Sequence, residues 1–238
     1  GTDRNLYTSN RSRVNPMKTP FVASVTAIIN KDLRAELRSR ELISVMVLFA
    51  FLSILIFSFA LELDRVAREE AVSGVLWVTL IFASVLGFNR SLSMERDQGN
   101  LDAMLLAPID RSAIFVGKLV GNYLFTLIVG LALLPVMTIL YNKNMLDLWV
   151  VLTTLLGIFG FSTIGTLLAT MTVQTRAREA LLPIAMLPVV LPFMLTAVRT
   201  TTGILNASPQ SEWMVWLQLL AGITLIYQIG RASCRERV

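Results

Sequence analysis

The polar segment of this sequence with the most to offer chemically runs from Arg90 to Lys118. Gly99 supplies a break, and Asn100 can cap the helix that starts after it. Leu101, Met104 and Leu105 form one apolar face of a short helix that stops before Pro108. Asp102 falls in its first turn, where the helix dipole favours an acid. Such a half-apolar helix at a membrane surface fits a groove on a soluble partner and passes that partner's motion to the spans on either side. A plain surface loop with incidental capping accounts for the same spacing equally well. A second charged cluster, Arg176, Arg178 and Glu179, occupies a tight loop at 174–179.

Several chemistries lack their residues. The sequence contains no histidine, and its one cysteine is Cys234, so neither a metal cluster nor a disulfide framework can be assembled from ligand-spaced residues. No carboxylate stands in the middle of an apolar stretch to act as base or proton relay. Gly117-Lys118 is followed by Leu119, and Ser112 stands where the first glycine of a phosphate-binding loop belongs, so that motif is not met. If ATP drives this protein, another subunit hydrolyses it.

The elements that position these residues are set by composition. Of 238 residues, 55% are hydrophobic and only 16% charged, against about a quarter charged in soluble domains. The charges cluster in short segments between apolar stretches long enough to cross a hydrocarbon core about 30 Å thick, and backbone in lipid must bond within its own segment, so each stretch is helical. The expected class is an all-α polytopic membrane protein of about six spans, at about 42–61, 71–89, 112–141, 148–173, 180–198 and 213–229. Val25, Ile28, Ile29, Leu33 and Leu37 recur at helical spacing while Lys31, Arg34 and Arg38 share another face, which predicts an amphipathic interfacial helix ahead of the first span. In the fifth span Pro183, Pro188 and Pro192 disfavour a straight helix, and a kinked span facing the bundle interior or a subunit contact is expected. A proline kink with a packing role alone fits as well. Gly157, Gly160 and Gly165 permit close approach of the fourth span.

The division expected is a leader at 1–16, non-native or disordered, an interfacial helix at 17–41, a six-helix permease domain at 42–229, and a tail at 230–238. The leader is polar and does not read as a signal peptide, and Met17 is a plausible start. The tail reads either as a foreign or truncated end or as an ordinary basic one. The net charge of +5 does not point to nucleic acid, because the basic residues flank apolar spans. With an even number of spans, the termini and the second and fourth loops share a side; leaving out the leader and tail, that side carries eleven Lys and Arg against four on the other. The basic side is the cytoplasmic one, so both termini are expected inside.

These residues resemble a known family. Gly74-Val75-Leu76-Trp77-Val78, Arg90, Gly99-Asn100-Leu101-Asp102, Leu105-Leu106-Ala107-Pro108 and Lys118 look like the CcmB-type permease subunit of the haem-exporter, or cytochrome c maturation, ABC system. The stretch from Arg176 to Pro183, with Leu187-Pro188 and Leu191-Pro192, is similar to that family's entry into the fifth span. The resemblance covers about residues 20–229; the short sixth span and the tail depart from it.

The resemblance implies a multi-pass protein of the bacterial cytoplasmic membrane, not catalytic by itself, working as two permease copies. Its implied partners are a CcmA-like ATPase that binds the ATP, CcmC- and CcmD-like haem-handling subunits, and a CcmE-like chaperone that receives haem. Arg90, Glu95, Gly99, Leu101, Asp102 and Pro108 become the candidate ATPase-coupling segment, and Arg176, Arg178 and Glu179 a second cytoplasmic contact. Without histidine the chain lacks the commonest protein ligand of haem iron; haem is then a handled substrate held by partners, and no cofactor is expected on this subunit. The alternatives are an ABC-2-type exporter of another substrate and a non-transporting membrane scaffold.

Overall fold

The computed structural model describes residues 20–62, 64–97, 111–172 and 178–235. Among them are seven helices and no strand: α1 (Phe21–Ser39), α2 (Glu41–Ala60), α3 (Arg65–Asp97), α4 (Arg111–Tyr141), α5 (Leu148–Thr172), α6 (Arg178–Leu205) and α7 (Gln210–Arg235). This is the all-α architecture with a leading amphipathic helix that the sequence predicts.

Five helices are long and apolar enough to cross a membrane, through Glu41–Ala60, Val66–Ser91, Ser112–Tyr141, Leu148–Ala169 and Pro188–Leu205. The last helix, α7, is not among them, and it packs against the bundle as a sixth long helix. Glu212 and Gln218 thin the apolar run of α7, yet α7 lies along α5 and α6 for most of its length. Trp213 meets Gly203 near the turn, Thr224 and Phe193 both reach Gly160, and Gln228 donates to Thr163 at 3.2 Å. Residue numbers therefore fall along α6 as they rise along α7, the signature of an antiparallel hairpin.

Helices overrun the apolar stretches wherever a cap or a water-facing end allows. α3 begins at Arg65, inside the loop expected at 62–70, because Asp64 Oδ1 accepts the N–H groups of Val66 and Ala67, both at 3.0 Å. At its other end α3 continues past Arg90 to Asp97, so Arg90 stands on a helix and not at the start of a loop. α6 continues through Pro188 and Pro192 as one helix, and both prolines are exposed; Val190, Phe193, Ala197 and Thr201 face inward instead. The side chain of Pro183 lies outside the described residues.

α3 is the most enclosed span and α2 the least. The core gathers around Trp77, 1% exposed, whose indole Nε1–H donates to Thr201 Oγ1 at 3.0 Å. Phe88 stacks on Phe161 with ring centroids 5.7 Å apart. Gly157 has no side chain because the Trp77 indole occupies that place; likewise a Cβ on Gly130 would meet Ile158 at 2.7 Å. Small residues let the helices close where lipid offers no competing hydrophobic force.

Gly157→Ala will lower the thermal unfolding midpoint in detergent, by a loss of about 1–3 kcal/mol typical of overpacking, because its Cβ strikes an indole already fixed by Thr201. Gly74→Ala, which meets nothing within 4 Å, will leave the midpoint unchanged or slightly raised.

Candidate functional site

The inward stripe of α1 is not wholly apolar. Ser24, Ile28, Asp32 and Glu36 recur every four residues; Ser24, Ile28 and Glu36 are buried and Asp32 nearly so. Leu37 of the expected apolar face is 73% exposed and points away from the bundle. Each acid in the stripe has a defined partner. Asp32 Oδ2 lies 2.8 Å from Lys118 Nζ on α4, with the two side chains 11% and 9% exposed. The same aspartate lies 3.4 Å from the outer Lys31. Beside this pair Ile28 packs where a Gly117 side chain would stand.

Glu36 closes the elbow between α1 and α2. Arg40 adopts the left-handed conformation, φ 54°, which ends α1, and its N–H donates to Glu36 C=O at 2.6 Å. The chain then turns directly into α2, whose first N–H groups have no partner in their own helix. The Glu36 carboxylate supplies one: it accepts from Ile43 N–H at 2.8 Å and Leu42 N–H at 3.3 Å. A negative charge at the positive end of a helix adds to this capping. At the first residue of α2, Glu41 pairs with Arg90 of α3.

At this end of the bundle three carboxylates thus tie α1 to α2 and α4, and α2 to α3. Deeper in, Asn122 Nδ2 donates to Thr166 Oγ1 at 3.0 Å and joins α4 to the last turns of α5. Arg90 and Lys118, which bracket the polar segment in the sequence, are brought to the same elbow. Glu95 lies in the last turns of α3 and Arg178 and Glu179 in the first turn of α6, by backbone alone. Gly99, Leu101, Asp102, Pro108 and Arg176 lie outside the described residues.

The partners Asp32, Glu36 and Glu41 are not evident from local sequence. The available signal is the i, i+4 spacing of Ser24, Ile28, Asp32 and Glu36, which puts two acids on the face that also carries a buried isoleucine. Among the described residues no group of three or more His, Cys, Asp or Glu could hold a metal. The arrangement is mechanical in kind: short polar ties link α1 to two spans and one of those, α2, to a third.

Comparison with known proteins gives one consistent result. The family model described as "CcmB protein" matches residues 23–229. A Heme exporter protein B from Rhodobacter capsulatus is 25% identical over 203 residues, covering 83% of this chain and 90% of the relative. Its counterpart from Paracoccus denitrificans is 26% identical over 204 residues, covering 84% and 90%, and that from Haemophilus influenzae 26% over 171 residues, covering 71% and 77%.

Breaking the Asp32–Lys118 tie from one side will cost more than removing it whole. Lys118→Met will destabilise the chain by about 1–3 kcal/mol, since among the described residues Asp32 then keeps the outer Lys31 alone, whereas the pair Asp32→Asn with Lys118→Met will recover at least half of that. Thermal unfolding of the four proteins in detergent measures the cycle.

Proposed function

The chain belongs to the CcmB family, and from that premise we propose that it is the transmembrane subunit of an ABC complex that exports or hands over haem for cytochrome c maturation. The match over residues 23–229 carries the reading. It is supported by the naming of several relatives as Heme exporter protein B. The chain acts without catalysing a reaction itself. A separate CcmA-like ATPase binds and hydrolyses ATP, CcmC- and CcmD-like subunits hold haem, and a CcmE-like chaperone receives it. Two permease copies work in each complex.

The end bearing the α1–α2 elbow faces the cytoplasm in this reading. Lys31, Arg34, Arg38, Arg40, Arg90 and Lys118 all belong to it, and basic residues are retained on that side. Both termini then lie inside. The segment bearing Glu95, Gly99, Leu101, Asp102 and Pro108, together with Arg90, meets the ATPase, and Arg176, Arg178 and Glu179 form a second contact. Because Arg90 and Lys118 are tied to Glu41 and Asp32, a push on the segment between them reaches α1 and α2 as well as α3 and α4.

Joint charge reversal, Glu95→Lys with Asp102→Lys, will abolish capture of the co-expressed ATPase and the yield of holo-cytochrome c while the permease still inserts in the membrane. Glu212→Lys, on the loop side of α7, will leave capture intact. Undiminished capture by the double variant would remove the coupling role from this segment.

A further inference from the structure

At the end of the bundle away from α1, the start of α3 and the end of α4 enclose a cavity of about 150 Å³. Its polar lining is Arg68, Glu69, Tyr141, Asn142 and Lys143. Asn142 is left-handed, φ 51°, a conformation asparagine tolerates. It ends α4 and turns Lys143 back toward α3, where the ammonium lies 3.6 Å from Glu69. Lys143 is 27% exposed and Glu69 60%, so this pair is loose and open to exchange.

Arg68 is held firmly and yet is not used up. Its Nη2 donates to the Leu140 carbonyl, and the guanidinium carbon lies 5.3 Å from the centroid of the Tyr141 ring. The Nε–H is buried with no hydrogen-bond partner among the described residues. The Tyr141 hydroxyl, on a side chain 6% exposed overall, is buried and equally without one. Arginine Nε–H can only donate, and a phenol donates readily. Arg68 and Tyr141 both border a cavity that also receives a lysine, and each carries a buried donor for which the described residues supply no acceptor.

We propose that this cavity is an oxyanion site that takes one carboxylate or phosphate group at the membrane face opposite the α1 elbow. Arg68 Nε–H and the Tyr141 hydroxyl turn from their buried positions toward the cavity to hold the anion, and Lys143 leaves Glu69 to complete it. The volume admits such a group and excludes a macrocycle, so a larger ligand docks by its acidic arm with its body outside. Two sources share this chemistry. One is the phosphate of a phospholipid headgroup. The other is a propionate of haem, a choice that rests on the function proposed above.

The test uses the full chain purified in a nonionic detergent and three probes: iron protoporphyrin IX, its dimethyl ester, and dioctanoyl-phosphatidylglycerol. Porphyrin binding is followed by quenching of tryptophan fluorescence, and retained lipid by native mass spectrometry. At least one acidic probe will bind saturably at one per chain. Arg68→Gln and Tyr141→Phe will each weaken it by about tenfold or more, while Glu69→Gln, which removes the competing anion, will tighten it. A purely structural arginine would not give that opposite sign. Should Arg68→Gln not fold, Tyr141→Phe, which removes a single oxygen, decides. If haem binds and its dimethyl ester binds parent chain no better than haem binds Arg68→Gln, the occupant is the propionate. If only the lipid responds to the variants, the oxyanion site stands and haem is not its ligand. Unchanged affinity for every probe in both variants, or no saturable binding of either acidic probe, overturns the site whatever the outcome of ATPase capture.

Discussion

Inside hydrocarbon there is no water to take a stray hydrogen bond, and this requirement shapes every level of the structure. It makes the spans helices, and it also governs their side chains. The interior is rich in threonine and serine, and most of these hydroxyls turn back on their own helix. Thr153, Thr154 and Thr163 donate to the carbonyls of Trp149, Val150 and Phe159, and Thr200, Thr201 and Thr224 do the same one turn back. A hydroxyl so occupied needs no acceptor on a neighbour, while its oxygen remains free to accept, as Thr201 and Thr163 do from Trp77 and Gln228. The few polar contacts that cross between helices, Trp77 to Thr201, Ser73 to Thr202, Asn122 to Thr166 and Gln228 to Thr163, act as register marks. Interhelical hydrogen bonds in membranes contribute only about 0.6 kcal/mol on average, so these fix which residues face one another more than they hold the bundle together. The closeness comes from Gly130, Gly157 and Gly160.

The same requirement sends charge to the two ends, and the ends differ in kind. At one end three carboxylates are each committed to a partner: Asp32 to Lys118, Glu36 to the first amides of α2, Glu41 to Arg90. A helix broken from the next by a single left-handed residue would ordinarily leave its opening amides bare. Glu36 reaches across the break to cover them, so α1 cannot swing away from α2 without exposing backbone. At the other end Arg68 and Tyr141 keep donors in reserve. The first end has the character of a joint and the second that of a receptor.

Much of this is legible in the sequence for a plain reason: a stretch of about twenty apolar residues has one solution in lipid, and the apolar face of α1 repeats at helical spacing. The features that sequence does not disclose depend on distance along the chain or on backbone state. Asp32 and Lys118 are 86 residues apart, and nothing local marks them as partners. The capping by Glu36 presupposes that Arg40 takes a positive φ, which a non-glycine residue seldom announces. Arg68 falls in a loop by hydropathy because the apolar run starts only after it, whereas Asp64 starts the helix earlier. The prolines of α6 suggest a kinked span facing the bundle interior or a subunit contact; the fold places Pro188 and Pro192 on the outer face of this chain. Their spacing of four, offset from the inward positions 190, 193, 197 and 201, is the available clue.

The joint and the receptor are built on the same pair of helices. α3 carries Arg68 near its start and Arg90 near its end; α4 carries Lys118 near its start and Tyr141 at its end. A helix of 31 residues is about 46 Å long at 1.5 Å per residue, so α4 alone reaches from one face of the bundle to the other. Tightly packed helices move as bodies, because a close-packed interior does not deform continuously. The same two helices therefore connect the Arg90–Lys118 end with the Arg68–Tyr141 gap at the far end. The polar ties lie at the two ends of this pair, Arg90 to Glu41 and Lys118 to Asp32 at one and Arg68 to Leu140 and Tyr141 at the other, with the continuous backbone of the two helices between them.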